Sequence, residues 1–284
     1  MSFDPATFKP AHFLWDYANG VATVTLNRPE RKNPLTFESY DELRDTFWQL
    51  KQTRSVKVVV LRGAGGNFCA GDDLHPEERF KYGDPDLHTR MKTGYPRLVV
   101  EIMNLRKPVI ALVEGYAVGA GFDIALACDF RMVSQKARLA SIYVKRGMGG
   151  GCAYLLPRFV ALGKATELLL LGDFIEIEEA QRLNLVTKVY ADTELEAKTY
   201  EFATRLAKGP TAAIGAIKNA RNQGLACDPV KGIEHQILCN VELMFHKDAR
   251  EGPRAFLEKR EPNFTAEWID LQYDEFKPYD VSKT

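Results

Sequence analysis

The residues best suited to chemistry lie between Lys107 and Arg131, where a strand signal, three glycines and a helix signal follow one another. The continuous apolar run Val109 to Val113 predicts a buried strand, and an apolar helix is predicted over residues 122–127. The first N–H groups of a helix have no partner inside it, and the helix dipole favours negative charge there. The segment Gly119-Ala120-Gly121 lets a ligand oxygen approach that backbone. The turn therefore suits a phosphate or an oxyanion that develops during a reaction.

A second strand ends in a similar loop. The run Val56 to Leu61 predicts another buried strand, and it leads into the loop Arg62 to Leu74, with the sequence RGAGGNFCAGDDL. Two such loops can each supply one backbone N–H to a single oxygen. For either loop alone, a plain turn in which glycine only allows tight packing is the alternative interpretation.

Several segments together resemble the enoyl-CoA hydratase/isomerase (crotonase) family. They are NFCAGDDL (67–74), EGYAVGAGFDIALACD (114–129), LNRPERKNPLTF (26–37), GKATELLLLGDFIEIEEAQRLNLVTKV (163–189) and DAREGPRAFLEKREPNF (248–264). The resemblance implies an α/β fold, a crotonase-like spiral of ββα repeats with a helical C-terminal trimerisation region. It places the spiral core and the acyl-CoA site in residues 1–200 and the helical region in residues 201–284. It also implies a homotrimer or a dimer of trimers.

Under this resemblance the backbone N–H groups of Asp72 and Ala120 form an oxyanion hole for a thioester enolate. The side chain matters little for a backbone donor, so Ala120 fits this role. Asp72 departs from the family, which usually has a small residue at this position. A carboxylate there, next to Asp73, opposes a nearby enolate unless it points away or is protonated.

The catalytic candidates are Asp123 and Tyr143. Hydratases of the resembled family commonly use two glutamates, and the motif places Asp123 at the first position and Tyr143 at the second. Asp123 lies in an apolar helix, which is expected to raise its pKa toward neutrality and suits a general acid or base. Tyr143 is open to two interpretations, a group that donates a proton or orients water, and an aromatic residue of the core.

The resemblance also assigns residues to the binding of coenzyme A and substrate: Arg28, Arg31, Lys32, Ala70, Asp73, Leu74, Gly119, Phe256 and Lys259. The three basic residues lie in the loop 27–34, for which an ordinary solvated loop is the alternative. Coenzyme A is part of the substrate, and no separate cofactor is expected. His75, Glu77 and Glu78 have no partner cluster at ligand spacing, so no metal is expected.

Hydration of a 2-enoyl-CoA is the leading activity that the resemblance implies. Isomerisation of an enoyl-CoA, thioester hydrolysis and non-catalytic binding of acyl-CoA are the alternatives. Isomerisation needs one base that moves a proton between two carbons, whereas hydration prefers two groups. A dinucleotide-binding enzyme is disfavoured because Ile124 stands where GxGxxG requires its third glycine.

Composition narrows the class of protein. The 284 residues are 45% hydrophobic and 27% charged, with zero formal net charge, so the basic excess of a nucleic-acid-binding protein is missing. No apolar run approaches the roughly 18 residues of a membrane span, and the N-terminus resembles neither a signal nor a transit peptide. The five cysteines lack CxxC spacing, which favours reduced thiols in a cytoplasmic protein.

Local signals predict the remaining elements. The dipeptide Asn19-Gly20 predicts a hairpin between strands over 13–17 and 21–26. The glycine cluster Gly147 to Gly151 predicts the start of another helix, and the chain from Lys164 onward is predicted to be almost entirely helical. Specific helices are predicted over residues 36–53, 97–105, 210–224, 229–246 and 248–259.

Overall fold

The computed structural model describes residues 3–79, 81, 88–89, 92 and 94–269. Its strands are β1 (Phe13–Ala18), β2 (Val21–Leu26), β3 (Val58–Gly63), β4 (Val109–Val113), β5 (Tyr116–Val118), β6 (Phe130–Ser134), β7 (Arg138–Ala140) and β8 (Lys188–Tyr190). Its α-helices are α1 (Phe37–Leu50), α2 (Pro76–Arg79), α3 (Tyr95–Asn104), α4 (Ala120–Ala127), α5 (Leu162–Leu171), α6 (Ile177–Arg182), α7 (Asp192–Ala207), α8 (Thr211–Gly224), α9 (Pro229–Leu243) and α10 (Asp248–Glu258).

Within the described residues, six strands form one sheet in the order β1-β2-β3-β4-β6-β8. The predicted hairpin is confirmed: β1 and β2 pair antiparallel, and Asn19 and Gly20 both have positive φ, 52° and 79°. The other neighbours pair parallel. A parallel sheet is covered on both faces, which explains why β4 is a continuous and fully buried apolar run.

A second layer of short extended segments lies beside the large sheet. Strands β5 and β7 pair parallel, and isolated bridges join Leu35 to Asp72, Cys69 to Ala117, and Leu139 to Ile175. After β3, β4 and β6, the chain thus adds one short extended segment to this layer before its next helix. This is the spiral of ββα repeats that the resemblance implies.

The helices beside the site are positioned by capping and burial. Thr36 caps α1, and its side-chain oxygen accepts a hydrogen bond from the N–H of Ser39. The predicted apolar face of α1 is buried, including Tyr40 and Phe47. All eight residues of α4 are buried, as expected for a helix that is apolar all round.

The chain divides into two compact units, Met1–Gly215 and Ala216–Thr284. The first contains both sheets, and the second contains α9 and α10. Among the described residues, no helix combines the length and apolar composition needed to cross a bilayer.

One prediction about the later part of the chain is wrong. The glycine cluster does not open an α-helix, because Gly147, Gly150 and Cys152 have φ of 66°, 91° and 59°. Left-handed residues interrupt a right-handed helix, so the chain turns until a 3₁₀ helix at Leu156–Arg158. The chain from Lys164 to Glu258 is almost entirely helical, as predicted. Strand β8 lies within it, where pairing with β6 overrides the helical surroundings.

Candidate active site

Two loops meet where the sequence predicts the oxyanion site. The Cys69 N–H donates to the Tyr116 carbonyl at 2.7 Å, and the Val118 N–H donates to the Cys69 carbonyl at 3.0 Å. Gly121 lies directly against this backbone, since a Cβ built on Gly121 would stand 2.3 Å from the Cys69 carbonyl oxygen. The close contact therefore requires glycine at position 121.

Gly71, which precedes the predicted donor Asp72, lies against the predicted donor Ala120. Gly71 has φ of 92°, and a Cβ built on it would stand 3.2 Å from the Ala120 nitrogen. Asp72 follows Gly71 directly, so its N–H belongs to the same short stretch. Gly119, with φ 57° and ψ −126°, turns the chain into α4, where Ala120 occupies the first helical position and its N–H has no acceptor within the helix. The geometry suits one oxygen between two N–H groups.

Asp123 is a buried carboxylate with two strong donors. Only 4% of the residue is exposed. Its Oδ2 accepts a hydrogen bond from the Tyr143 hydroxyl at 2.8 Å, and its Oδ1 accepts one from the Cys152 N–H at 2.8 Å. Burial raises the pKa of Asp123 to about 6, these hydrogen bonds oppose that rise, and the charge of Asp72 adds to it. A carboxyl group with this pKa can exchange protons near neutral pH.

Tyr143 is held by glycines on the neighbouring loops. Its ring packs on Gly151, where a built Cβ would stand 2.0 Å from a ring carbon, and it lies near Gly119. Burial and then the charge of Asp123 raise the pKa of Tyr143 far above its usual value. The residue therefore keeps its proton and donates a hydrogen bond to Asp123. Its ring is part of the core, and its hydroxyl is hydrogen-bonded to Asp123, while a role in proton donation or in orienting water stays a prediction.

Two tyrosines of the site were not identified from the sequence. The Tyr40 hydroxyl donates to Oδ1 of Asp72 at 2.7 Å, and the Tyr95 hydroxyl is hydrogen-bonded to Tyr143. The ring centroids of Tyr40 and Tyr95 are 6.3 Å apart, and those of Tyr95 and Tyr143 are 6.5 Å apart. We call these three residues the tyrosine row. Tyr40 gave one signal, because a buried phenol usually needs a partner for its hydroxyl.

The carboxylates of Asp123 and Asp72 both act on Tyr95, the middle residue of the tyrosine row. Burial raises the pKa of Tyr95 to about 12, with further contributions from the charges of Asp123 and Asp72. The row thus connects a carboxylate beside the oxyanion donors to the carboxylate inside α4.

Three of the residues predicted to bind coenzyme A and substrate, Arg28, Arg31 and Asp73, contact one another. Arg31 donates to both oxygens of Asp73, at 2.8 and 2.9 Å, and Arg28 lies 2.8 Å from the same carboxylate. Burial alone would raise the pKa of Asp73, but the His75 N–H and the two guanidinium groups bring it below its usual range. The side chains of Arg28 and Arg31 remain 28% and 38% exposed, so both reach solvent.

The other predicted binding residues are more dispersed. The Lys32 ammonium lies 4.2 Å from the centroid of the Tyr116 ring, and the Ala70 N–H donates to the Lys32 carbonyl. Leu74 is 40% exposed. In the second unit Phe256 is 82% exposed, and Lys259 ends α10 in a left-handed conformation. Their role toward coenzyme A stays a prediction.

No metal centre is found in the described part of the chain, where no three His, Cys, Asp or Glu side chains are grouped to hold an ion. His75 and Glu77 form a pair 3.8 Å apart.

Comparisons with known proteins agree with this geometry. The family model of enoyl-CoA hydratase/isomerase matches residues 16–267. The chain is 34% identical to 1,2-epoxyphenylacetyl-CoA isomerase of Escherichia coli, over 87% of this chain and 95% of that protein. It is 35% identical to (E)-benzylidenesuccinyl-CoA hydratase of Thauera aromatica, over 88% and 97%. A crystal structure of enoyl-CoA hydratase from Bacillus anthracis superposes with a TM-score of 0.84, at 31% identity, over 90% of this chain and 100% of that one.

The family model covers most of the chain, these relatives match over nearly their whole length, and the structural match shows the crotonase fold. The chain belongs to the enoyl-CoA hydratase/isomerase family.

Proposed function

We propose that this enzyme isomerises the double bond of an enoyl-CoA, with Asp123 as the group that moves the proton. One observation carries the choice among the family's reactions. Tyr143, at the position of the second acid, donates its hydrogen bond to Asp123 at 2.8 Å. The second position thus serves to hold the first carboxylate, and a reaction that needs one acid–base group fits the site best.

The ionised form of Asp123 begins the reaction. With a pKa of about 6, the carboxylate outnumbers the carboxylic acid by about ten to one at pH 7. It removes a proton from the α carbon of a 3-enoyl-CoA, and the electron pair moves into the thioester to form an enolate. The protonated Asp123 then returns the proton to the γ carbon, which gives the 2-enoyl-CoA. Atoms and charges balance without a separate cofactor.

The N–H groups of Asp72 and Ala120 stabilise the enolate oxygen in this proposal. Their positions are set by the close backbone contacts of Gly71 and Gly121, so they need no rearrangement when negative charge develops. Loss of one such donor typically lowers kcat by about 10²- to 10³-fold.

Hydration of a 2-enoyl-CoA is the second candidate. In this reaction a water molecule would donate a hydrogen bond to Asp123, whose carboxylate is held by the Tyr143 hydroxyl. As the water oxygen bonds to the β carbon, Asp123 would take a proton of that water and pass it to the α carbon of the resulting enolate. Among the relatives, the Thauera aromatica protein is named a hydratase, and the Escherichia coli protein is named an isomerase of an epoxide, 1,2-epoxyphenylacetyl-CoA.

The test supplies a 3-enoyl-CoA and a 2-enoyl-CoA separately in ¹⁸O-labelled water and follows the products by mass spectrometry. Isomerisation gives the shifted double bond without ¹⁸O, whereas hydration gives an ¹⁸O-labelled 3-hydroxyacyl-CoA. Both activities should be lost in Asp123→Asn and kept in Asp45→Asn, which changes an exposed carboxylate of α1. Rapid labelling by the wild-type enzyme, with no double-bond shift, would replace isomerisation by hydration.

The proposed assembly is a homotrimer or a dimer of trimers formed through the helical C-terminal region. Apolar side chains exposed on α9 and just after it support this proposal: Val230, Ile233, Ile237, Leu238, Val241 and Met244. Light scattering after size-exclusion chromatography tests it, and a monomer at micromolar concentration would contradict it.

A further inference from the structure

We propose that the carboxylate of Asp72 selects acyl-CoA substrates whose acyl group carries a hydroxyl. This inference rests on the proposed function, since it takes the enolate site to be where the acyl group binds. It concerns the side chain of a residue for which the proposed function uses only the backbone N–H.

The backbone on both sides of Asp72 is fixed by Leu35. The Leu35 N–H donates to the Gly71 carbonyl at 2.9 Å, and the Asp73 N–H donates to the Leu35 carbonyl at 2.9 Å. Neighbouring side chains of an extended segment point to opposite sides, and Asp73 turns toward Arg28 and Arg31. The side chain of Asp72 is thereby directed to the other side.

The carboxylate of Asp72 interacts with residues of the tyrosine row and with Asp123. It accepts a hydrogen bond from Tyr40, and its charge acts on the pKa of both Tyr95 and Asp123. An acyl group with its carbonyl oxygen at the two N–H groups and its α carbon at Asp123 must pass through this region. Its surroundings are therefore the tyrosine row and two carboxylates.

These surroundings suit a hydroxyl better than a purely hydrocarbon chain. A hydrocarbon displaces water from the Asp72 carboxylate and supplies no donor in return, which is unfavourable for a charged group. A carboxylate accepts several hydrogen bonds at once, so a substrate hydroxyl can donate to it in addition to Tyr40. Such a donor also reduces the repulsion between Asp72 and the enolate. A hydrogen bond to a charged group corresponds to a preference of about 10- to 100-fold in Kd.

The hydroxyl can belong to an aromatic ring or to an alkyl chain, and matched ligands distinguish these sources. We would measure Kd by calorimetry for 4-hydroxyphenylacetyl-CoA against phenylacetyl-CoA, and for 4-hydroxybutyryl-CoA against butyryl-CoA. All four lack the reactive double bond. The wild-type enzyme should prefer the hydroxylated member of at least one pair by about tenfold or more. The pair that shows the preference identifies the source.

The variants Asp72→Ala and Tyr40→Phe show whether Asp72 causes the preference. In Asp72→Ala the preference should fall to nearly onefold because the unhydroxylated ligand binds more tightly. In Tyr40→Phe, which keeps the carboxylate, it should persist. Asp72→Leu, which also has no side-chain acceptor, serves in place of Asp72→Ala if thermal melting shows that the alanine variant is unfolded. Equal Kd values within both pairs, or a preference unchanged by the loss of Asp72, would overturn the proposal.

Failure of this inference is distinguishable from failure of the proposed function. Binding of these ligands needs no proton transfer, so the preference should also be present in Asp123→Asn. If turnover is lost in Asp123→Asn and no protein prefers the hydroxylated ligands, only the proposed selection by Asp72 is refuted. Turnover that survives in Asp123→Asn refutes the role of Asp123 and leaves the binding comparison valid.

Discussion

Replacing Asp123 by asparagine is expected to stop catalysis and at the same time stabilise the fold. The carboxylate is 4% exposed, and its pKa rises from the 3.8 of an ordinary Asp to about 6. A raised pKa means that the folded protein holds the neutral form more tightly than the charged form. Ionisation at neutral pH therefore lowers the free energy of unfolding. Asparagine has nearly the same shape and no charge, so in the Asp123→Asn variant the free energy of unfolding is not lowered by ionisation at this position.

The magnitude follows from the difference between the two pKa values. About two pH units correspond to about 3 kcal/mol. Between pH 3.8 and about 6 the folded protein binds more protons than the unfolded chain, so the stability of the wild-type protein falls as pH rises. Asp123→Asn should match the wild type below this window and exceed it by up to ~3 kcal/mol above it.

Urea unfolding at a fixed protein concentration, repeated from pH 4 to pH 8, measures this difference. The comparison of the two proteins cancels the titration of all other groups. Asp45→Asn is the control for the same chemical change at an exposed position. In parallel, turnover of Asp123→Asn should fall by about 10²- to 10⁴-fold. If Asp123→Asn is less stable than the wild type at pH 7, or if the difference does not change with pH, the account of a buried and destabilised carboxylate is refuted.

Three further changes test the supporting structure. Tyr143→Phe removes a hydrogen bond that lowers the pKa of Asp123. The acidic limb of the profile of kcat/KM against pH should therefore move to higher pH by about one unit, and a limb at the same pH would contradict this. Gly121→Ala places a Cβ 2.3 Å from a carbonyl oxygen and should lower both turnover and the free energy of unfolding, the latter by about 2 kcal/mol or more in urea. Gly163→Ala is its control, because a Cβ there meets nothing within 4 Å. Arg31→Gln removes a two-pronged ion pair and should destabilise the protein by about 1 kcal/mol at pH 7. That difference should shrink below pH 4, as its carboxylate partner is protonated, and a difference that is constant with pH would rule out the ion pair as its cause.

Strong local signals account for the elements that the sequence predicted. The Asn19-Gly20 turn, the cap at Thr36 and the apolar run of β4 each act over a few residues, and each is found in the structure. Strands β5, β7 and β8 have three residues each, and their pairing depends on partners far along the chain. A pattern of three residues is too short to show a period, so these strands were not predicted.

The candidate site divides in the same way. The glycines of the two loops predicted a site made of backbone N–H groups, and the resemblance to the family assigned these donors to Asp72 and Ala120. The partners of the two carboxylates were not predicted. Tyr40 and Tyr95 lie on helices well separated along the chain from the residues that they contact. Nothing in the local pattern of α3 indicates that Tyr95 reaches Tyr143.

The glycine cluster after Tyr143 forms a turn that supports Asp123 and Tyr143. An aspartate is one methylene shorter than a glutamate, and Asp123 is bound by the longer side chain of Tyr143 and by the Cys152 N–H. The Tyr143 ring fits only because Gly151 has no Cβ. Cys152 has φ of 59°, which is rare for a residue with a side chain and is maintained only where the surroundings favour it. The structure has a turn where a helix was predicted, and this turn gives Asp123 its second hydrogen bond, from the Cys152 N–H. A regular helix through residues 147–152 would commit the Cys152 N–H to its own backbone and leave the buried carboxylate with one donor fewer.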